Sequence, residues 1–236
     1  MGEYRKSGCL KLNREYCPFC SKPKKVCICQ WLTKIDNEHH ITVLRHTSEK
    51  KHALNTAGIL SKCLTNLTLM DGETFDPSIF SSPSDTYLVY PGEHSCSIEE
   101  LKFSPVTSFI LLDGSWKKTN KILFKNNWLE KFPRVRLPVK PSRYFLRKQK
   151  KQGFSTLEAA CELLSFLEQD CYKYQPVLNC LDKFMQLQAG YIDPDLFEEH
   201  FGSRVSKISS DKNDSKAESP SGHNNPDDKL LHPRTQ

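Results

Sequence analysis

Ser108-Phe109-Ile110-Leu111-Leu112 runs directly into Asp113-Gly114-Ser115-Trp116. The first five residues form a short apolar run and the next four break it with an acid, a glycine and a hydroxyl. This is how a buried strand ends in a strand-to-helix return. Three other segments read the same way, Ile41 to Leu44, Leu67 to Met70 and Thr86 to Tyr90, each followed by polar or turn-forming residues. Between them, Lys51 to Leu64 and Trp116 to Phe132 have helical length and spacing. A further helix is marked at its start. Ser155 and Glu158 form a capping box, and Leu157, Cys161, Leu164 and Leu167 then line one face. Strands alternating with helices imply an α/β fold with a largely parallel sheet.

The chain has 236 residues, enough for one substantial core and a small accessory module. A membrane-spanning helix needs about 20 consecutive apolar residues, and no stretch approaches that. Met1 to Arg14 is polar and charged, unlike a signal peptide, so the expectation is a soluble, unsecreted protein of the cytoplasm or nucleus with no membrane partner. From Ser206 to Gln236 the only apolar side chains are Ile208, Ala217, Leu230 and Leu231, which implies a disordered tail. No internal repeat is visible. The net charge of +6 is uneven: Arg134 to Lys151 holds eight Lys or Arg and no acid, a composition that suits a polyanionic partner.

Of ten cysteines, four fall within Cys17-Pro18-Phe19-Cys20 and Cys27-Ile28-Cys29. Four thiolates so close together can wrap one tetrahedral zinc, with Cys17, Cys20, Cys27 and Cys29 as ligands. The second pair is tighter than the usual two-residue spacing. A site closed by four thiolates has no open coordination position, so its role is structural. A reduced, metal-free turn or a redox Cys-x-x-Cys pair are the alternatives, although the latter normally opens a helix in a βαβ unit. The other thiols show no pairing pattern and suit core or surface positions.

In an open α/β sheet ligands bind where strands end, and three such places carry polar and aromatic residues together. They are Arg45-His46-Thr47-Ser48-Glu49 leading to Asn55-Thr56-Ala57, then Asp113-Gly114-Ser115-Trp116, and Ser142-Arg143-Tyr144-Phe145-Leu146-Arg147-Lys148-Gln149. Asp113 could equally be a helix cap, and a lone histidine such as His46 is more often a hydrogen-bonded structural residue than a base. Tyr144 and Phe145 lie among cations, as in surfaces that stack unpaired bases, with Arg143, Arg147 and Lys148 as phosphate contacts.

Asp113-Gly114-Ser115-Trp116, Ser142-Arg143-Tyr144 with Arg147-Lys148-Gln149, and Ser155-Thr156-Leu157-Glu158-Ala159, in this order behind the four cysteines, resemble the DTW-domain family. The similarity runs from about Cys17 to Phe166 and rests on several separated motifs rather than one. Ser115 stands where the family's name expects threonine, and Thr47 where proline commonly follows the histidine. The resemblance implies a SPOUT-like α/β fold that can be knotted near the cofactor site. It divides the chain into a basic lead and zinc module (1–35), a DTW-type catalytic domain (36–205) and the tail (206–236).

It also implies an activity. The characterised relatives transfer the 3-amino-3-carboxypropyl group of S-adenosylmethionine to N3 of a tRNA uridine, leaving methylthioadenosine. On that reading Asp113, Ser115 and Trp116 are the catalytic candidates. Asp113 accepts the N3 proton or holds the cationic donor, Ser115 hydrogen-bonds the donor, and Trp116 packs on its adenine or belongs to the core. His46, Ser155, Thr156 and Glu158 are the donor-binding candidates; the first turn after Ser155 presents N–H groups suited to a carboxylate or phosphate, unless Ser155 and Glu158 themselves satisfy them. A SPOUT-type RNA methyltransferase and a non-catalytic zinc-bearing RNA adaptor are the competing readings.

Overall fold

The computed structural model describes residues 15–80, 85–104, 106–146 and 153–202. The basic lead, the tail, Arg147 and Lys148 therefore lie outside the described residues. Its centre is strand β1, Ile41–His46, buried along its whole length, as a strand covered on both faces must be. Strands β2 (Leu67–Gly72), β3 (Thr86–Val89), β4 (Cys96–Ser97), β5 (Ser108–Asp113) and β6 (Arg134–Arg136) complete a six-stranded sheet in the order β2-β1-β5-β3-β6-β4. Every pairing between these strands is parallel. The expected α/β fold with a parallel sheet is thus found.

Successive residues of a strand face opposite ways, and this divides the core in two. Ile41, Val43, Phe109, Leu111 and Val135 point to one face, where they pack with helices α1 (Ala57–Cys63), α3 (Thr156–Leu167) and α4 (Gln175–Ala189). Leu44, Leu88 and Ile110 point to the other, against helix α2 (Trp116–Lys125) and a 3-10 turn at Asn127–Lys131. A last short helix, α5, spans Pro194–Phe197.

Two expected helices are shorter than their periodicity suggested. Lys51 to Leu64 becomes helical only from Ala57, because residues 52–55 form turns tied by the Asn55 N–H to the His52 carbonyl. The run from Trp116 breaks at Asn126, which is fully buried and has φ −128° and ψ 63°. Its side chain donates to the carbonyls of Ile122 and Glu73 and accepts from the Phe75 N–H, so it closes α2 and anchors the loop after β2. The basic stretch from Arg134 opens with β6, in which Val135 is buried between two arginines. Among the described residues no helix is long and apolar enough to cross a membrane.

Candidate active site

The carboxyl ends of β3, β5 and β6 surround a cavity of about 940 Å³, where an open α/β sheet is expected to bind ligands. Two helices begin on it. Gly114, Ser115 and Trp116 lead into α2, and Gly153, Phe154 and Thr156 into α3. Helix starts carry partial positive charge and N–H groups without intrahelical partners, so a ligand with an anionic end is favoured here. Lys117, Arg136 and Lys140 add full charges around the opening. Gly114 is required by closeness: a Cβ there would lie 3.0 Å from Lys118 Cβ, where α2 turns back on β5.

Asp113 ends β5 on the same face as Phe109 and Leu111, and its register partner on β1 is Arg45. Parity therefore turns both charged side chains inward, toward α1 and α3. Asp113 is 5% exposed; its Oδ2 accepts from Asn55 Nδ2 at 2.7 Å and its Oδ1 from the Thr156 hydroxyl at 2.6 Å. Asn55 Oδ1 accepts from Arg45 at 3.0 Å, and Arg45 Nε donates to Asp71 at 2.6 Å. The result is a continuous chain of contacts from the exposed Asp71 through buried Arg45, Asn55 and Asp113 to Thr156, which lines the cavity. Burial pushes the Asp113 carboxyl above the ordinary range, against the pull of Thr156 and Asn55. Ser115, not Asp113, caps α2.

Trp116 is 49% exposed, lines the cavity and meets Tyr90 edge to face at 5.6 Å, so it is a wall of the site rather than a core residue. Tyr90 is held in turn by a 2.8 Å bond to Asn120. Ser155 and Glu158 are buried and form the capping box, with Glu158 accepting from the Ser155 N–H at 2.8 Å. Glu158 also takes the Arg143 N–H at 2.5 Å and the Ser142 hydroxyl at 2.9 Å. These two residues satisfy the helix start from within and pin the 142–143 segment to it, leaving Thr156 as the member of that group on the cavity.

Three other expectations separate from the cavity. His46 has the opposite parity to Arg45 and faces α2, where its ring nitrogens meet Ser48 at 3.0 Å and Glu73 at 3.0 Å. Tyr144 is 7% exposed and donates its hydroxyl to the Leu54 carbonyl at 2.5 Å, so its ring belongs to the core and is not open for a base to rest on. Arg143 reaches Asp182 on α4 at 3.4 Å. Tyr90 was not singled out by sequence as a site residue, and Asn55 and the 136–140 segment were given no role beyond a sheet edge and a basic stretch. The available signal was an arginine inside a buried strand, which requires partners on neighbouring elements.

The four thiols of Cys17, Cys20, Cys27 and Cys29 all lie within 4.8 Å of one another, with Sγ to Sγ separations of 3.5 Å for Cys17 and Cys29 and 3.7 Å for Cys20 and Cys27. Sulfurs held about 2.3 Å from one tetrahedral zinc are about 3.8 Å apart, so the set fits that ion. The N–H groups of Cys20 and Phe19 hold the Cys17 thiol down to about 6, whereas desolvation pushes Cys29 up to about 12.

Over 194 residues the chain is 31% identical to a protein of Macaca fascicularis named tRNA-uridine aminocarboxypropyltransferase 2, covering 75% of this chain and 65% of that one. A Mus musculus protein of the same name gives the same figures. An Arabidopsis thaliana protein named tRNA-uridine aminocarboxypropyltransferase A is 23% identical over 220 residues, 77% of this chain and 83% of its own. The chain thus spans 65% of the length of the first two relatives. No solved structure matches it. The stretch from residue 14 to residue 189, where α4 ends, matches the DTW domain, and on that match the chain belongs to the DTW-domain family.

Proposed function

We propose that this protein transfers the 3-amino-3-carboxypropyl group of S-adenosylmethionine to N3 of a uridine in tRNA, releasing methylthioadenosine. The observation that carries the reading is the cavity: an exposed tryptophan face, the start of α2 and Thr156, held from behind by the buried Asp113, meet on it. Relatives named for this transfer support it. The donor's sulfonium supplies the leaving group. The chain's part is to place and neutralise.

Trp116 offers its open face to the adenine, and the start of α2, which no side chain caps, suits the donor's carboxylate. Asp113 has both oxygens already engaged, which favours holding Thr156 and balancing a cationic donor over taking a proton itself. Ser115, exposed at the start of α2, is left to hydrogen-bond donor or base. The returns after β3, β5 and β6 meet at one cavity, which supports the SPOUT-like reading of the fold. For tRNA we assign Lys117, Arg136 and Lys140 at the opening, together with Arg147 and Lys148. Zinc at the four thiols is structural.

Purified protein incubated with S-adenosylmethionine and tRNA should release methylthioadenosine and add an aminocarboxypropyl mass to uridine. Release of S-adenosylhomocysteine instead would establish a methyltransferase, and binding of tRNA without either product an adaptor.

A further inference from the structure

Lys22 lies in the cysteine module, between Cys20 and Cys27, yet is 7% exposed. Its position is set by the module: the Cys17 N–H donates to the Lys22 carbonyl at 2.8 Å. The side chain leaves the module altogether. Its ammonium donates to the carbonyls of Ala53 at 2.9 Å and Asn55 at 3.1 Å, and sits 4.4 Å from the centre of the Phe184 ring on α4. The carbonyl between these two, that of Leu54, takes the Tyr144 hydroxyl at 2.5 Å. Three consecutive carbonyls are therefore held by side chains from two distant parts of the chain.

The segment so held ends at Asn55, whose Oδ1 accepts from Arg45 and from the Gly58 N–H in the first turn of α1. Its Nδ2 donates to Asp113 at 2.7 Å, and Asp113 accepts from Thr156 on the cavity wall. An ammonium is buried only where acceptors and negative charge compensate it. Two carbonyls and a ring face supply part of this. Zinc held by the four thiolates, with about two net negative charges, would supply the rest from the module beside it.

We propose that Lys22 is a positioning residue for the candidate active site, coupling the metal-binding module to donor binding through residues 53–55, Asn55 and Asp113. The inference rests on the transferase reading only in taking S-adenosylmethionine as the ligand of the cavity. A module that served local stability alone would not need to reach across into the turn before α1.

The test uses the full chain and S-adenosylmethionine titrated by calorimetry. Lys22→Met keeps the aliphatic stem and removes the ammonium; it should retain about one zinc per chain while donor affinity falls roughly tenfold. Lys22→Arg should recover part of the loss. Asn55→Ala should weaken the donor similarly, and the effect of Lys22→Met should largely vanish in an Asn55→Ala background, because both act on one chain of contacts. A folded, zinc-loaded Lys22→Met with unchanged donor affinity overturns the proposal, as do fully additive effects. Should Lys22→Met fail to fold, Tyr144→Phe, which loses only the bond to Leu54, must show the same coupling to Asn55→Ala, and additivity there overturns it. If the wild-type protein binds no S-adenosylmethionine, it is the transferase reading that falls.

Discussion

Asp113 bears on the candidate site from behind, through the Thr156 hydroxyl that it holds. Its carboxylate sits behind the cavity wall, so removing it acts on what it holds. Asp113→Ala leaves Asn55 Nδ2 and the Thr156 hydroxyl without their acceptor and should cost about 1–3 kcal/mol of stability as well as activity. Asp113→Asn keeps the shape and separates the two losses. Because burial raises the Asp113 pKa in the fold, this group's contribution to stability is present below its unfolded pKa and lost as pH rises through the folded value. At neutral pH the ionised form is therefore a net cost. Asp113→Asn should unfold no earlier than wild type at pH 7 and lose part of its relative advantage as pH falls, while transfer is abolished. Thermal unfolding across pH, with turnover at pH 7, checks this. Near-normal turnover in the folded variant would remove the charge of Asp113 from the mechanism.

At the scale of elements, α3 carries the most consequence, because Glu158 both closes its start and holds Ser142 and Arg143. Ser155→Ala should cost about 1 kcal/mol, the usual loss of a cap. Glu158→Ala leaves the buried Ser155 N–H and the half-buried Arg143 N–H without an acceptor and should cost on the order of 3 kcal/mol. Denaturant unfolding of the two variants decides it; equal losses would mean that the 142–143 segment is held by other contacts. This capping box was fully legible in sequence, since its chemistry is local. So were the four strands whose apolar runs are bounded by turn residues. What escaped was set by distant partners. β6 is three residues long and two of them are arginines, so only its place beside β3 makes it a strand. Nothing local says that Asn126 will break a helix, because its acceptors include a carbonyl 53 residues away. The site divided likewise. Asp113, Trp116 and Thr156 could be read from motif order, whereas the parity that turns Arg45 in and His46 away required knowing which faces of β1 the helices cover.

For the molecule as a whole, the four thiols are the only evident staple among the described residues; they close residues 17–29 on themselves, and Lys22 between them reaches α4 and the turn before α1. Purified protein should contain about one zinc per chain. Its removal by a strong chelator, or Cys17→Ser or Cys27→Ser, should lower the melting temperature and the donor affinity together. Metal-free protein that melts at the same temperature and binds the donor equally well would show the cluster to be a reduced turn.

The strand order has a consequence for how the protein comes to exist. β5, residues Ser108–Asp113, lies between β1 and β3, so the sheet cannot be laid down in the order in which the ribosome delivers it. As synthesis proceeds, β1 and β2 can pair, but the other edge of β1 waits open and β3 has no neighbour until more than twenty further residues have emerged. The completing strand must then insert between two waiting edges instead of adding to one. Long-range parallel pairing of this kind is slow and leaves apolar edges bare meanwhile. The four strands β2-β1-β5-β3 therefore stay incomplete until Asp113 is in place, and β4 waits in the same way for β6 to join it to β3.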